Sequence, residues 1–335
     1  MAGAFTHVDG GTITTAQGFK AGGTYVGIKT YSEDKMDMGL LLSDTPCAVA
    51  GVFTKSSLVS PSVTLNRETL AAGGPVRGLV VNSGIANAGV GEQGYIDAKE
   101  MAAAAAAGLG VEPSEVLVFS TGVIGVELPM TLIKKGVDEI VLVDDGGNAL
   151  ARSMMTTDTR TKEAAVSVNV GGAEIKICGV AKGSGMIHPN MATMLCFVTT
   201  DAAVEQDYLR SILPDISDST LNMLDIDGDT STNDSLVVLA NGAAGNTPLT
   251  AGSADADTFR DALYEVLVQL TRQLAQDGEG ATTLIVAEVR GAKSIADARM
   301  AARTITSSLL VKSAVYGADP NWGRLIMALG RSGAE

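Results

Sequence analysis

The stretch from Gly179 to Ala202, GVAKGSGMIHPNMATMLCFVTTDA, holds the residue best placed for chemistry. Thr193 stands between a loop too rich in glycine and proline to be regular and an apolar run, Met194 to Val198, that reads as a buried strand. A hydroxyl held at a strand tip by a stiff loop can serve as a nucleophile. Threonine alone holds its proton too tightly at neutral pH. A neighbouring base activates such a hydroxyl, and one solution is the residue's own α-amine. That amine exists only if the chain is cut between Ala192 and Thr193. The plain alternative is a tight loop feeding a core strand.

Four other places carry chemistry-bearing residues. STGVIG, Ser120 to Gly125, follows a strand read over Val116 to Phe119. A strand ending in Thr121-Gly122 can turn backbone N–H groups toward a ligand, as an oxyanion hole requires, and the bare Gly122 permits close approach. A strand-to-helix turn would use the same residues. Lys182 is either a solvated surface charge or, beside a nucleophile, a holder of a carboxylate. TTDTRTK, Thr156 to Lys162, is a solvated turn or a hydroxyl cluster around Asp158 and Arg160. Glu279, pinned between Gly278 and Gly280 ahead of an apolar run, is better placed for a site than a glutamate at an ordinary helix end. The loop Asn82 to Gly89 reads as a turn network in which asparagine bonds local backbone.

DIDGDTSTND, Asp225 to Asp234, invites a calcium reading that its spacing rejects. Glycine falls at the fourth loop position instead of the sixth, and Leu236 stands where the closing glutamate belongs. It reads as a polar turn near the site, and no metal is expected. Only two histidines occur and no CxxC pair, which argues against zinc. The three cysteines, Cys47, Cys178 and Cys196, sit in apolar stretches and read as buried free thiols of a reducing compartment.

These residues need a large core to position them, and 46% hydrophobic content in 335 residues supplies one. Net charge is −14 and no basic run could track a phosphate backbone, so neither nucleic acid nor an anionic membrane surface is an expected partner. No signal peptide is visible and no apolar run approaches the ~20 residues that span a bilayer, so a cytoplasmic protein is expected. Short apolar runs at Thr24 to Lys29, Met36 to Leu42, Ala48 to Phe53, Gly78 to Val81, Leu236 to Ala240 and Leu284 to Val289 read as strands. Val166 to Ile177 reads as a hairpin about Gly171-Gly172. Helical spacing marks Tyr95 to Ala107 (capped by Gly108), Pro129 to Val141, Asn148 to Met155, Val204 to Leu213 (stopped by Pro214), a long amphipathic helix through Phe259 and Leu274, and Ser294 to Val311.

AKGSGMIHPNMATML, with the blocks NSGIANA, STG, TTDT and DGEGAT, resembles the ornithine acetyltransferase family, the bifunctional glutamate N-acetyltransferases (ArgJ) of arginine biosynthesis. The resemblance departs at Ile85, where an amide is usual, and at Gly89, where a cysteine is usual. It implies an α/β, self-cleaving N-terminal-nucleophile fold (DmpA/ArgJ-like), with layered sheets flanked by helices. It implies scission between Ala192 and Thr193, giving an α chain of residues 1–192 with the oxyanion-hole loop and a β chain of 193–335 that starts with the nucleophile. Members of the family continue past the position of Glu335, so the β chain is expected to be C-terminally incomplete. The implied roles are Thr193 as nucleophile, Thr121 and Gly122 as oxyanion hole, and Thr156, Lys182, Thr193 and Glu279 as substrate contacts. The implied reaction is ping-pong transfer of acetyl from N2-acetyl-L-ornithine to L-glutamate through an acetyl-threonine, without cofactor. Acetyl-CoA is an admissible second donor, and assembly of two α with two β chains is expected. The alternatives are an N-terminal-threonine aminopeptidase or amidase and a non-catalytic truncated relative.

Overall fold

A computed structural model describes residues 5–30, 35–188 and 194–335. In chain order the elements are β1 (Phe5–His7), β2 (Phe19–Thr24), β3 (Met38–Phe53), α1 (Pro61–Ala72), β4 (Val76–Ile85), α2 (Gly91–Leu109), β5 (Val116–Val123), α3 (Met130–Glu139), α4 (Gly147–Met154), β6 (Lys162–Val170), β7 (Ala173–Lys182), β8 (Leu195–Thr200), α5 (Gln206–Ser219), β9 (Ser235–Ala240), α6 (Ala256–Gln276), α7 (Ile295–Thr306), α8 (Leu309–Tyr316) and α9 (Trp322–Gly330).

Among the described residues the strand order is β1-β6-β7-β8-β9-β3-β4-β5, with β2 also on β3. The long strand β3 serves two wings. Its first half, Met38 to Leu42, pairs with β2 and β4, and its second half, Ala48 to Phe53, pairs with β9, with a register shift between Leu42 and Cys47. The wings face each other across one apolar layer that contains Leu79, Phe119, Phe197 and Leu239. There the rings of Phe119 and Phe197 lie 4.6 Å apart. A second layer joins β6 to β9 with α5 and α6, and a third joins β4 and β5 with α2 and α3. The result is the layered α/β arrangement with outer helices that the sequence led us to expect. Strands β8 and β9 are buried at every position because each is covered on both faces, which explains their continuous apolar runs.

Several elements differ from the sequence reading, each for a local reason. The runs at Met36 to Leu42 and Ala48 to Phe53 are one bent strand, and the run at Thr24 to Lys29 leaves its strand at Thr24. Helix α2 ends at Gly110 in the left-handed conformation, not at Gly108. A Cβ at Gly108 would lie 2.5 Å from Val137, so that glycine lets α3 pack close to α2. Helix α5 continues past Pro214, because Leu213 and Ile216 are buried in the core and packing outweighs the missing N–H. Helix α1, unread in the sequence, has Ser60 as N-cap and proline in its first turn, a signal that was available. Leu284 to Val289 is not a strand and Val286 is exposed, since no described backbone pairs with it. The last helical stretch breaks at Ser308, which caps α8.

All three cysteines are free and buried. Burial pushes the thiols of Cys47 and Cys178 up to about 11 and about 12 and raises Cys196 further, so they are inert packing groups.

Candidate active site

Thr121, Gly122, Thr156, Lys182 and Glu279 line one cavity of about 520 Å³. They come from the end of β5, the loop after α4, the end of β7 and the turn after α6. Met194 and Leu195 line it as well. Ala192 and Thr193, the expected scission site and nucleophile, lie outside the described residues.

Two wings supply the walls. Strand β7 ends beside the start of β8, with Lys182 opposite Leu195, and β8 runs parallel to β9, with Leu195 opposite Ser235. From the other wing, β5 runs parallel to β4, with Gly122 opposite Gly84. The side-chain amide of Asn233 donates to the carbonyl oxygens of Ala86 and Ser120, so it ties this strand end to the loop before β9. Asn233 was not singled out in the sequence, because its partners lie far away along the chain.

Gly122 has no substitute in this geometry. Its φ is +132°, and a Cβ would lie 2.2 Å from the carbonyl carbon of Gly84 and 2.4 Å from its oxygen. Rigid backbone on the other side cannot yield as a flexible side chain would. Gly122→Ala is therefore expected to displace the strand end and, on the oxyanion-hole reading of the sequence, to lower kcat by about 10²–10³, the loss typical of one such donor. Steady-state kinetics on protein confirmed as folded by circular dichroism would show it.

Lys182 is buried, and its Nζ donates to Thr121 Oγ1 at 3.3 Å. Burial lowers its pKa; the Asp158 carboxylate opposes this, Lys162 adds to it, and Asp234 and Glu279 pull the other way. An incoming carboxylate would restore the charge that burial disfavours. Lys182 is thus a buried side chain facing a cavity, not a solvated surface charge.

Behind the cavity lies a buried ionic knot. Lys162 Nζ is 2.5 Å from Asp158 Oδ1 and 2.6 Å from Asp277 Oδ2. Asp158 accepts from the backbone N–H of Gly183 at 2.6 Å and of Thr156 at 2.9 Å. Asp277 accepts from the N–H of Thr159 at 3.0 Å, and its carbonyl accepts from Ser184 Oγ at 2.6 Å. The Ser184 carbonyl in turn takes the N–H of Glu279 at 2.8 Å. One lysine and two carboxylates therefore fix the backbones that carry Thr156, Lys182 and Glu279. Burial would push the Asp158 carboxyl up, but the Lys182 and Lys162 ammonium groups outweigh it and hold it at about 2. TTDTRTK is consequently a structural turn as well as a cavity wall.

Glu279 is exposed at the cavity rim. A Cβ at Gly185 would fall 2.5 Å from its Oε1, so the glycine leaves room for this carboxylate. The polar stretch Asp225 to Asp234 clamps the loop below the rim: Asp227 accepts from the N–H groups of Met186 and Ile187, and Asp225 pairs with His188 and Lys312. Asn82 donates to the Ile85 carbonyl, the local network read from its loop, and neighbouring Gly84 and Ala86 reach the cavity.

The ArgJ family model matches residues 20–335. The arginine biosynthesis bifunctional protein ArgJ of Dehalococcoides mccartyi is 51% identical over 326 residues, covering 97% of this chain and 80% of that protein. The crystal structure of the Bacillus halodurans protein of the same description superposes with a TM-score of 0.54 at 36% identity, over 56% of this chain and 98% of that one. Ornithine acetyltransferase from Mycobacterium tuberculosis, solved in complex with ornithine, gives a TM-score of 0.51 at 34% identity, over 56% of this chain and all of that one. The chain belongs to the ArgJ family.

Proposed function

We propose that this member of the arginine-biosynthesis acetyltransferases moves acetyl from N2-acetyl-L-ornithine to L-glutamate through an ester on Thr193. The observation that carries this reading is the convergence of Thr121, Gly122, Thr156, Lys182 and Glu279 on the cavity that Met194, the neighbour of Thr193, also lines. Relatives that share the bifunctional name, and one solved with ornithine, support the substrate class.

The reading requires a cut first. Thr193 Oγ adds to the Ala192 carbonyl, the peptide C–N bond breaks to leave an ester, and water opens the ester. A carboxylate on Ala192 and a free amine on Thr193 result, dividing the chain into residues 1–192 and 193–335. Such an α-amine has an ordinary pKa of about 7.7–8.0, well matched to a general base at working pH. It then takes the Oγ proton as the hydroxyl attacks the acetyl carbonyl. Thr121 and Gly122 hold the developing oxyanion, Lys182 the substrate carboxylate, Glu279 the remote ammonium of ornithine, and Thr156 a hydrogen bond to substrate. Ornithine leaves, glutamate enters, and its amine carries the acetyl away. No cofactor enters the cycle. Acetyl-CoA would be a second way to load the same ester. Two copies of each fragment would form the working assembly, in the cytoplasm; no described helix is long and apolar enough to cross a membrane.

The decisive experiment incubates cleaved protein with N-acetylornithine, with and without glutamate, and with acetyl-CoA plus glutamate. The expected result is N-acetylglutamate in equal amount to the ornithine released, with an acetyl adduct on the fragment beginning at Thr193. Free acetate released without any acceptor dependence would make the protein a hydrolase instead.

A further inference from the structure

We propose that Asp234 is a catalytic residue whose buried carboxyl contacts the amino-acid nitrogen that gives up or receives the acetyl group. The inference rests on the acetyl-transfer reading above.

Asp234 lines the cavity, is 1% exposed, and its Oδ2 has no hydrogen-bond partner among the described residues. A buried carboxyl oxygen left without a donor opposes folding, so its position calls for a use outside the fold. Its backbone is firmly held. The Asp234 carbonyl accepts from Thr54 N–H at 2.9 Å, the preceding Asn233 binds Ala86 and Ser120, and the following Ser235 donates its N–H to the Met194 carbonyl at 2.8 Å. These bonds hold the Asp234 backbone beside the start of β8, the strand that follows Thr193 in the chain, and its side chain lines the same cavity as Thr121.

Its chemistry suits a nitrogen ligand. Burial raises the Asp234 pKa well above the usual carboxylate range; Ser231 and the Lys182 charge offset this only in part. A neutral carboxylic acid in a cavity wall can give a proton to a nitrogen, and the resulting carboxylate then faces the neutral amine it has made. Acetyl transfer needs both moves. When the bond between the acetyl carbon and the ornithine nitrogen breaks, the electron pair goes to nitrogen and the Asp234 proton follows. When neutral glutamate amine attacks the ester, that nitrogen must lose a proton, and the Asp234 carboxylate takes it. The Thr193 amine handles only the Oγ proton, so both groups return to their starting state after one cycle. Glu279, exposed at the rim, is left for the remote ammonium.

Asp234→Asn and Asp234→Ser test this, with melting temperature, extent of chain scission and kcat/KM for N-acetylornithine read on the same preparations. Because the carboxyl opposes folding, both variants should melt at or above the wild-type temperature and cut normally. Their kcat/KM should fall by about 10²–10⁴, the usual contribution of a positioned acid or base. Rates within three-fold of wild type would overturn the proposal. So would a lower melting temperature, a failure to fold or a failure to cut, since each would make Asp234 structural. If wild-type protein itself transfers no acetyl group, the failure belongs to the acetyl-transfer reading and not to Asp234.

Discussion

Thr193→Ala yields one uncut chain and no acetyl transfer, with residual activity at least about 10⁴-fold below wild type, the scale on which loss of a nucleophile is felt. In the proposed mechanism one hydroxyl serves both functions, so they disappear together: it attacks the Ala192 carbonyl in the cut, and it carries the acetyl group afterwards. Thr193→Ser keeps the hydroxyl and should retain both activities at reduced rate, which separates loss of the nucleophile from disturbance of the loop. Denaturing electrophoresis reads the cut, and intact mass after brief exposure to N-acetylornithine reads the ester. A Thr193→Ala protein that still splits before residue 193, or still acquires acetyl there, would require another nucleophile. The surroundings in the structure favour the assignment: Met194 shares its cavity with the bare backbone of Gly122 and the buried side chain of Lys182.

Lys162→Met costs about 3–5 kcal/mol of stability, the range for breaking a buried ion pair from one side. The Lys162 and Asp158 side chains are 0% exposed and that of Asp277 is 5% exposed, so removing the ammonium leaves two carboxylates facing each other without water. A surface pair gives the scale. Lys135 and Glu139 lie 3.7 Å apart with side chains 56% and 45% exposed. Lys135→Met should shift stability by no more than about 0.5 kcal/mol, because solvent screens such pairs. Denaturant unfolding of both variants tests the contrast. Kinetics on whatever Lys162→Met protein remains folded carries the functional half: KM should rise as the Thr156, Lys182 and Glu279 backbones lose their common anchor. Equal stability losses for the two lysines would show that the buried knot is not what organises the site.

These effects follow from one design. The cavity lies where two sheet wings meet, and each wing contributes strand ends instead of strand middles. Strand ends have free backbone groups, which suits an oxyanion hole, but they also fray. Asn233 holds one wing to the other, the Lys162 knot joins the three cavity-lining segments, and Asp227 secures the loop at Met186 and Ile187. The site's rigidity therefore resides in side chains that do not touch the proposed reacting atoms. Asp234 stands apart from them, since its Oδ2, unpartnered among the described residues, adds nothing to that scaffold.

The amino-acid sequence by itself determined whatever depends on adjacent residues. The Thr121-Gly122 strand end, the glycines around Lys182 and Glu279, the hairpin at Gly171-Gly172 and the amphipathic face of α6 were legible because their geometry is set within a few residues. The assignment of Thr193 as nucleophile is an expectation from the sequence and its resemblance, and the residue lies outside the described ones. Only the tertiary structure decided that Lys162, read as the last letter of a polar turn, is wholly buried, because Asp277 lies 115 residues away along the chain. It also decided that the Asp225 to Asp234 stretch holds a loop and delivers Asn233 and Asp234 to the site. Local propensity could not separate the two halves of β3 from one bent strand, nor see that packing would carry α5 past Pro214. Charge pairing and burial arise between segments that are distant in sequence, so letters alone named the groups that could react, and the fold determined which of them meet and how deeply they are buried.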